Sequence, residues 1–264
     1  MRTKKGSGAR PASAREQLLM RGKVEALESI RQNDIPGLKA IVGNMPEICR
    51  RMEWTPAPEF DAEIGASLEK PAPSQGSAMR GLSLLELAIR MRRAKMVEFL
   101  APLSDASEAN SFGETPLMMA ISDDDDAAPS MVKALLPLSD ANKRSVESEM
   151  TALMMAASTG DAKVIKLLLP QSDARMASAH GMTALHFAVD GLCWTGECVE
   201  ILLPVSDLGA KNQQGLTALA LANKSGLKRI ARAIEEFMAQ EEKKAIGAAI
   251  GAANEAAGAG AVRL

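Results

Sequence analysis

Residues Thr151 to Ala174 read TALMMAASTGDAKVIKLLLPQSDA, and this stretch decides the fold. Thr151 has the side chain of an N-cap, a hydroxyl that accepts amide hydrogens which a helix's first turn leaves without partners. Behind it, Leu153, Ala156 and Ala157 fall on one face at helical spacing. Gly160 ends this short helix, because glycine enters the left-handed conformation without a Cβ penalty. Asp161 opens a second helix whose Val164, Ile165, Leu167 and Leu168 form a buried stripe. Pro170 ends that helix by withholding a backbone donor. Ser172 and Asp173 then turn the chain back with side chains that hydrogen-bond nearby backbone. The stretch therefore predicts helix, tight turn, helix and extended loop.

The same phrasing recurs on both sides. GLSLLELA from Gly81, GETPLMMA from Gly113, EMTALMMA from Glu149, GMTALHFA from Gly181 and GLTALALA from Gly215 share one register. Their hydroxyls, Ser83, Thr115, Thr151, Thr183 and Thr217, are spaced by 32, 36, 32 and 34 residues. A second phrase runs in phase: FLAPLSDA from Phe99, LLPLSDA from Leu135, LLPQSDA from Leu168 and LLPVSD from Leu202. Two phased motifs at one period mark a repeat array. A unit of this size cannot bury its apolar face alone, so neighbours must stack. Ala120, Ala156, Ala188 and Ala222 occupy one matching position, where a small side chain permits close approach.

Composition agrees. The 264 residues are 47% hydrophobic and 24% charged, with 3% aromatic residues and no tyrosine, which weighs against an all-β fold and towards helices. A net charge of −2 supplies no global attraction to nucleic acid or anionic membrane. Three cysteines (Cys49, Cys193, Cys198) cannot form a disulfide framework, so a reducing compartment, the cytoplasm, is expected. The longest apolar run, Ala245 to Ala253, is too short to span a membrane, and the first residues lack the apolar stretch of a secretory signal.

TPLM at Thr115, TALM at Thr151 and TALH at Thr183 resemble the TPLH motif of ankyrin repeats, and DAKVIKLLL from Asp161 resembles that family's second helix. The resemblance covers roughly residues 81–242. It implies an all-α ankyrin-repeat α-solenoid of about five helix-turn-helix repeats, at 81–112, 113–148, 149–180, 181–214 and 215–242. Residues 14–48, around ALESIRQNDIPGLKAIV (26–42), resemble a degenerate helical capping repeat. The chain departs from the family after each second helix, where Ser104, Ser139, Ser172 and Ser206 stand two residues past a proline instead of the usual glycine. The hairpin loops are therefore expected to leave the helix earlier. Residues 1–13 read as a disordered basic arm and 243–264 as an Ala/Gly-rich tail that frays. Residues 49–80, with Pro56, Pro58, Pro71 and Pro73, read either as an insertion packed across the stack or as a linker.

The resemblance also implies function: a non-catalytic module, a scaffold for protein–protein interaction, that holds a protein partner in its concave groove. Carried over by motif, the partner-binding positions are Asn110, Phe112 and Glu114, then Ser145, Glu147, Met150 and Ser158. His180, Met182, Asp190, Lys211, Gln213 and Leu216 complete the set. Phe112, Met150, Met182 and Leu216 suit apolar anchors, unless they tuck against a neighbouring loop. The column Met118, Met119, Met154 and Met155 reads as core. The Pro-x-Ser-Asp phrasing is similar to that of bacterial ankyrin-repeat proteins, which implies a bacterial protein acting on a host or regulatory partner.

Other chemistry finds little support. Asp123 to Asp126 are consecutive, so their carboxylates diverge around the backbone and suit an acidic turn better than a calcium loop. His180, His186, Cys193 and Cys198 lack zinc-site spacing; by resemblance His186 supports a hairpin, and Cys198 falls at a core position. Trp194 is either a binding anchor or a cover for helix ends. No phosphate-binding glycine loop or nucleophile elbow is present. Seven Lys or Arg against one Glu in residues 1–24 lack interleaved aromatics, so a solubilising tail is expected over a nucleic-acid arm or targeting peptide. The reading is a monomer with a protein partner, no cofactor or metal, no nucleic acid and no membrane. Its rival places a metal- or nucleic-acid-dependent activity in 49–80 or in the basic arm, with the repeats as scaffold.

Overall fold

A computed structural model describes residues 14–49, 83–110, 113–121, 126–191 and 196–261. These residues cluster into two compact units, one reaching Asp140 and one beginning at Ala141, with Ile121 grouped in the second. Among the described residues there is no strand, only one isolated antiparallel bridge between Ala177 and Thr183.

Among its described residues the first unit contains three helix pairs. α1 (Ala14–Gln32) and α2 (Ile35–Asn44) turn at Asn33, whose φ is +59°, and Asp34 caps α2 by accepting the Gly37 amide at 3.0 Å. α3 (Leu84–Arg90) and α4 (Ala94–Leu100) form the next pair, and α5 (Pro116–Ala120) and α6 (Ala128–Leu135) the third. First helices pack on first helices, α1 on α3 and α3 on α5, while α4 packs on α6. Ile30, Leu38, Leu85, Met96, Leu100 and Leu117 are fully buried between them.

The second unit repeats the plan with α7 (Ala152–Thr159) and α8 (Ala162–Leu168), then α9 (Ala184–Asp190) and α10 (Glu197–Leu202). The pair α11 (Ala218–Lys224) and α12 (Lys228–Ala261) completes it. α9 lies between α7 and α11, and α10 packs on α8 and α12. Ala156, Ala188 and Ala222 are wholly inaccessible, so the small position does allow the close stacking expected of it.

The caps follow the sequence closely. Ser83, Thr115, Thr151 and Thr217 each accept the backbone amide three residues on, at 3.1 to 3.4 Å. Gly160 closes α7 at φ +79°, and Asp161 opens α8 by accepting the Lys163 and Val164 amides. Pro170 does not stop the chain's winding. Leu169–Gln171 tightens into one 3-10 turn, whose first positions need no amide donor and so admit proline. The same turn follows α4, α6 and α10, at Ala101–Leu103, Leu136–Leu138 and Leu203–Val205. After it the serine is extended. Asp105, Asp173 and Asp207 then hold the loop by accepting the amide two residues ahead.

Three features differ from the sequence reading. Leu167 is only half-buried, because the stripe of α8 narrows to Val164, Ile165 and Leu168. The methionine column splits: Met118 and Met154 are core, but Met119 and Met155, one residue on and about 100° round the helix, are half-exposed. α12 continues to Ala261 without a break at 243, since Ala, Glu, Lys and Gln favour helix and no proline interrupts them. Among its residues whose burial is described, the buried ones lie in its first turns, at Ile230, Ala231 and Ile234. The arm at 1–13 and all but the first residue of the 49–80 segment lie outside the described residues.

Candidate protein-binding edge

Between one helix pair and the next, the second unit projects short fingers, Ser145–Met150, Ser178–Met182 and Asn212–Leu216. Each is closed at its base by a backbone bond, Ser145 to Met150, Ser178 to Met182 and Asn212 to Leu216, at 2.9 to 3.0 Å. A buried polar side chain locks each turn from inside. The Ser145 hydroxyl accepts the Met150 amide, that of Ser178 accepts the His180 and Met182 amides, and the Asn212 carbonyl accepts the Gln214 and Leu216 amides. Such mimicry of a backbone turn is what short Ser and Asn side chains do well.

The fingers also bind one another. The Ala179 amide donates to the Ser148 carbonyl at 3.0 Å, and the Gln213 amide to the His180 carbonyl at 3.0 Å. The Gln213 side-chain amide adds a bond to the Ala179 carbonyl at 2.7 Å. Gly181 and Gly215 carry φ of +69° and +74°; Glu149 holds the same position in its finger at φ +51°.

His186 ties finger to helix. Its Nδ1 accepts the Thr183 amide, so Nε2 carries the proton and donates to the Leu216 carbonyl at 3.1 Å. The Thr183 hydroxyl lies 2.9 Å from Nδ1 and donates to it. The ring is 1% exposed, and burial pushes its pKa below the ordinary value, against the opposing pull of the Leu216 bond. Both nitrogens are used. The hairpin-supporting role implied by resemblance is the one the geometry shows.

The other residues considered for metal binding are also accounted for or lie elsewhere. Cys198 is buried, and its thiol donates to the Gly160 carbonyl at 3.2 Å. Asp126 is exposed, while Asp123–Asp125, Cys193 and Trp194 lie outside the described residues. Among the described residues no three His, Cys, Asp or Glu side chains group as a metal site, and no helix is long and apolar enough to cross a membrane.

The residues assigned to a partner separate into two sets. Ser145 is buried, and its hydroxyl is engaged by the Met150 amide, so it offers a partner little surface. Asn110, in the first unit, does the same work in its own loop: its carbonyl accepts the Glu114 amide and its amide donates to the Glu114 carboxylate. Glu147, His180, Asp190, Lys211 and Gln213 are exposed, and Glu114, Met150, Ser158, Met182 and Leu216 half-exposed. Phe112 lies outside the described residues. The sequence reading missed Val146, at a finger tip and 72% exposed, the highest of the large exposed apolar residues described. Its signal was an apolar residue inside an otherwise polar loop, SVESE. Phe187, half-exposed in the register of Met155 one helix pair earlier, was missed too.

Paired helices, capped by Thr and Ser and joined by short hydrogen-bonded fingers, define a repeat protein. Residues 125–203 match the family model described as ankyrin repeats, in three copies. This part of the chain is therefore built of ankyrin repeats, which are in general modules of protein–protein interaction, and among the described residues the fold is helical throughout. A search of curated proteins found no match to the chain.

Proposed function

We propose that the chain is a non-catalytic adaptor that binds a protein partner across the fingers and first-helix face of its second unit. The observation that supports this most is a set of apolar side chains left half-exposed or exposed: Met150, Met182 and Leu216 at one matched finger position, Met155 and Phe187 at one matched position of α7 and α9, and Val146 on the first finger. Glu147, His180 and Lys211 are exposed polar residues in or beside the same fingers. An apolar centre within a polar rim is the usual anatomy of a protein interface, and its anchors carry most of the affinity. The fingers are held by backbone bonds before any partner arrives, so little ordering entropy opposes binding. The buried cysteines Cys49 and Cys198, held as thiols, fit a reducing compartment such as the cytoplasm.

The test is affinity capture with the intact protein beside two variants. Val146→Glu/Met182→Glu places charges in the apolar strip; Arg232→Glu alters an exposed site on α12. The first variant should lose specific partners while keeping its circular dichroism and melting temperature, and the second should keep them. Identical partners for all three proteins would remove this face from consideration.

A further inference from the structure

The second unit has a cleft of about 520 Å³ away from the fingers, where α9 ends and α12 begins. Val189, Leu227 and Ile230 line it with apolar surface. Asp190, Lys228 and Arg229 also line it, and all three are exposed. None of the three forms an ion pair among the described residues.

These charges sit where the helices themselves disfavour them. Lys228 and Arg229 begin α12, at the positive end of a helix dipole, and the first turn contains no acid. Asp190 ends α9, at a negative end. A carboxylate bound there would be favoured by both cations and by the helix end. The space is that of a small-ligand or short-peptide pocket. Because the opening carries both signs, a purely anionic ligand meets repulsion from Asp190; a peptide offers a carboxylate to the cations and N–H donors to the aspartate.

We propose that this cleft binds a short segment of a partner protein in which a large apolar side chain stands beside an Asp or Glu. The apolar group fills the space against Val189, Leu227 and Ile230, and the carboxylate reaches Lys228 and Arg229 at the helix N-terminus. The inference rests on the reading above only in taking the occupant to be protein; the surface is a different one.

The experiment is a random-peptide phage selection run in parallel on the full-length wild type, on Lys228→Glu/Arg229→Glu and on Val146→Glu/Met182→Glu. Wild type and the finger variant should enrich sequences with an apolar residue next to an acid, and the cleft variant should not. A synthetic peptide of the enriched sequence should bind the cleft variant roughly tenfold more weakly or worse, as expected on losing charge-assisted hydrogen bonds. Acids suit a helix N-terminus, so the cleft variant should melt no lower than wild type. If it does melt lower, Lys228→Gln/Arg229→Gln supplies the same comparison without added charge. Enriched peptides lacking an acid, or binding wild type and cleft variant equally, overturn the proposal. Loss of apolar-acidic peptides only in the finger variant overturns it too and leaves the fingers standing. Loss only in the cleft variant, with no finger-dependent partner, supports the cleft and removes the finger reading instead.

Discussion

Two glycines at one turn position allow the packing between fingers to be weighed. Gly215, in the last finger, has φ +74°, and a Cβ built there meets nothing within 4 Å. Gly181, in the preceding finger, has φ +69°, and a Cβ there lies 3.3 Å from both Asn212 Cα and Gln213 N. Gly215→Ala therefore measures backbone strain alone. A left-handed residue with a Cβ costs roughly 1–2 kcal/mol, of which about 0.4–1 kcal/mol is returned by the stiffer unfolded chain. The expected net loss is about 1 kcal/mol.

Gly181→Ala carries the same strain and also presses on the backbone of the next finger. That backbone is fixed by the Gln213 amide to His180 carbonyl bond at 3.0 Å, so it yields little. Overpacking of this kind costs about 1–3 kcal/mol, and a contact only a few tenths of an ångström too close belongs at the lower end. Gly181→Ala should then destabilise by about 2 kcal/mol, roughly 1 kcal/mol more than Gly215→Ala. Urea titration followed by circular dichroism gives both values, provided the slope with denaturant is unchanged. Because repeat arrays can unfold in stages, hydrogen exchange of the Ala179 and Gln213 amides should accompany it. Gly181→Ala should speed exchange at Gln213, and Gly215→Ala should not. Equal losses in the two variants, with Gln213 equally protected, would refute the inference that neighbouring fingers are in contact.

At the same turn position Glu149 holds φ +51° with a side chain, so Glu149→Gly should be about 1 kcal/mol more stable than Glu149→Ala. Both variants lose the exposed Arg144–Glu149 pair, so their difference in melting experiments isolates the backbone; a more stable alanine variant would contradict the assigned conformation. His186, with its pKa lowered by burial, contributes stability that is complete above its unfolded value near about 6.5 and is lost as pH falls from there towards the folded value. The wild type should lose more stability than His186→Gln between neutral pH and about pH 5, and an imidazole seen by NMR to protonate at or above the ordinary value would exclude the buried neutral tautomer.

What the sequence makes legible is mostly local. Thr151, Gly160 and Asp161 were readable because each satisfies orphan backbone groups within two to four residues, so spacing alone exposes the geometry. His186 needed the family resemblance: its second partner, the Leu216 carbonyl, is 30 residues away. Met154 and Met155 are chemically identical, and only the position of the neighbouring helix decides which is core. Ser145 reads as a contact because it is polar and in a loop. Its burial depends on the Met150 bond and on the finger's fit beside the next one. The cleft was invisible for a similar reason, since it joins Val189 to Leu227 and Ile230 through the stacking of α9 on α11.

The fingers make clear why so few positions are free to set specificity. Each turn is closed by its own Ser or Asn and then bonded to its neighbour through the main chain, so Ser145, Ser178 and Asn212 are committed to shape. Gln213 is partly committed as well, because its side-chain amide is bonded to the Ala179 carbonyl. Side chains that point outward and have no such duty, Val146, Glu147 and Lys211 among them, can be exchanged without loosening the row. Main-chain bonds between fingers tolerate that exchange because they do not depend on side-chain identity. On the proposed reading a partner would be distinguished by a handful of tip residues on a frame whose conformation is already fixed, and affinity should respond to substitutions at those tips far more than stability does.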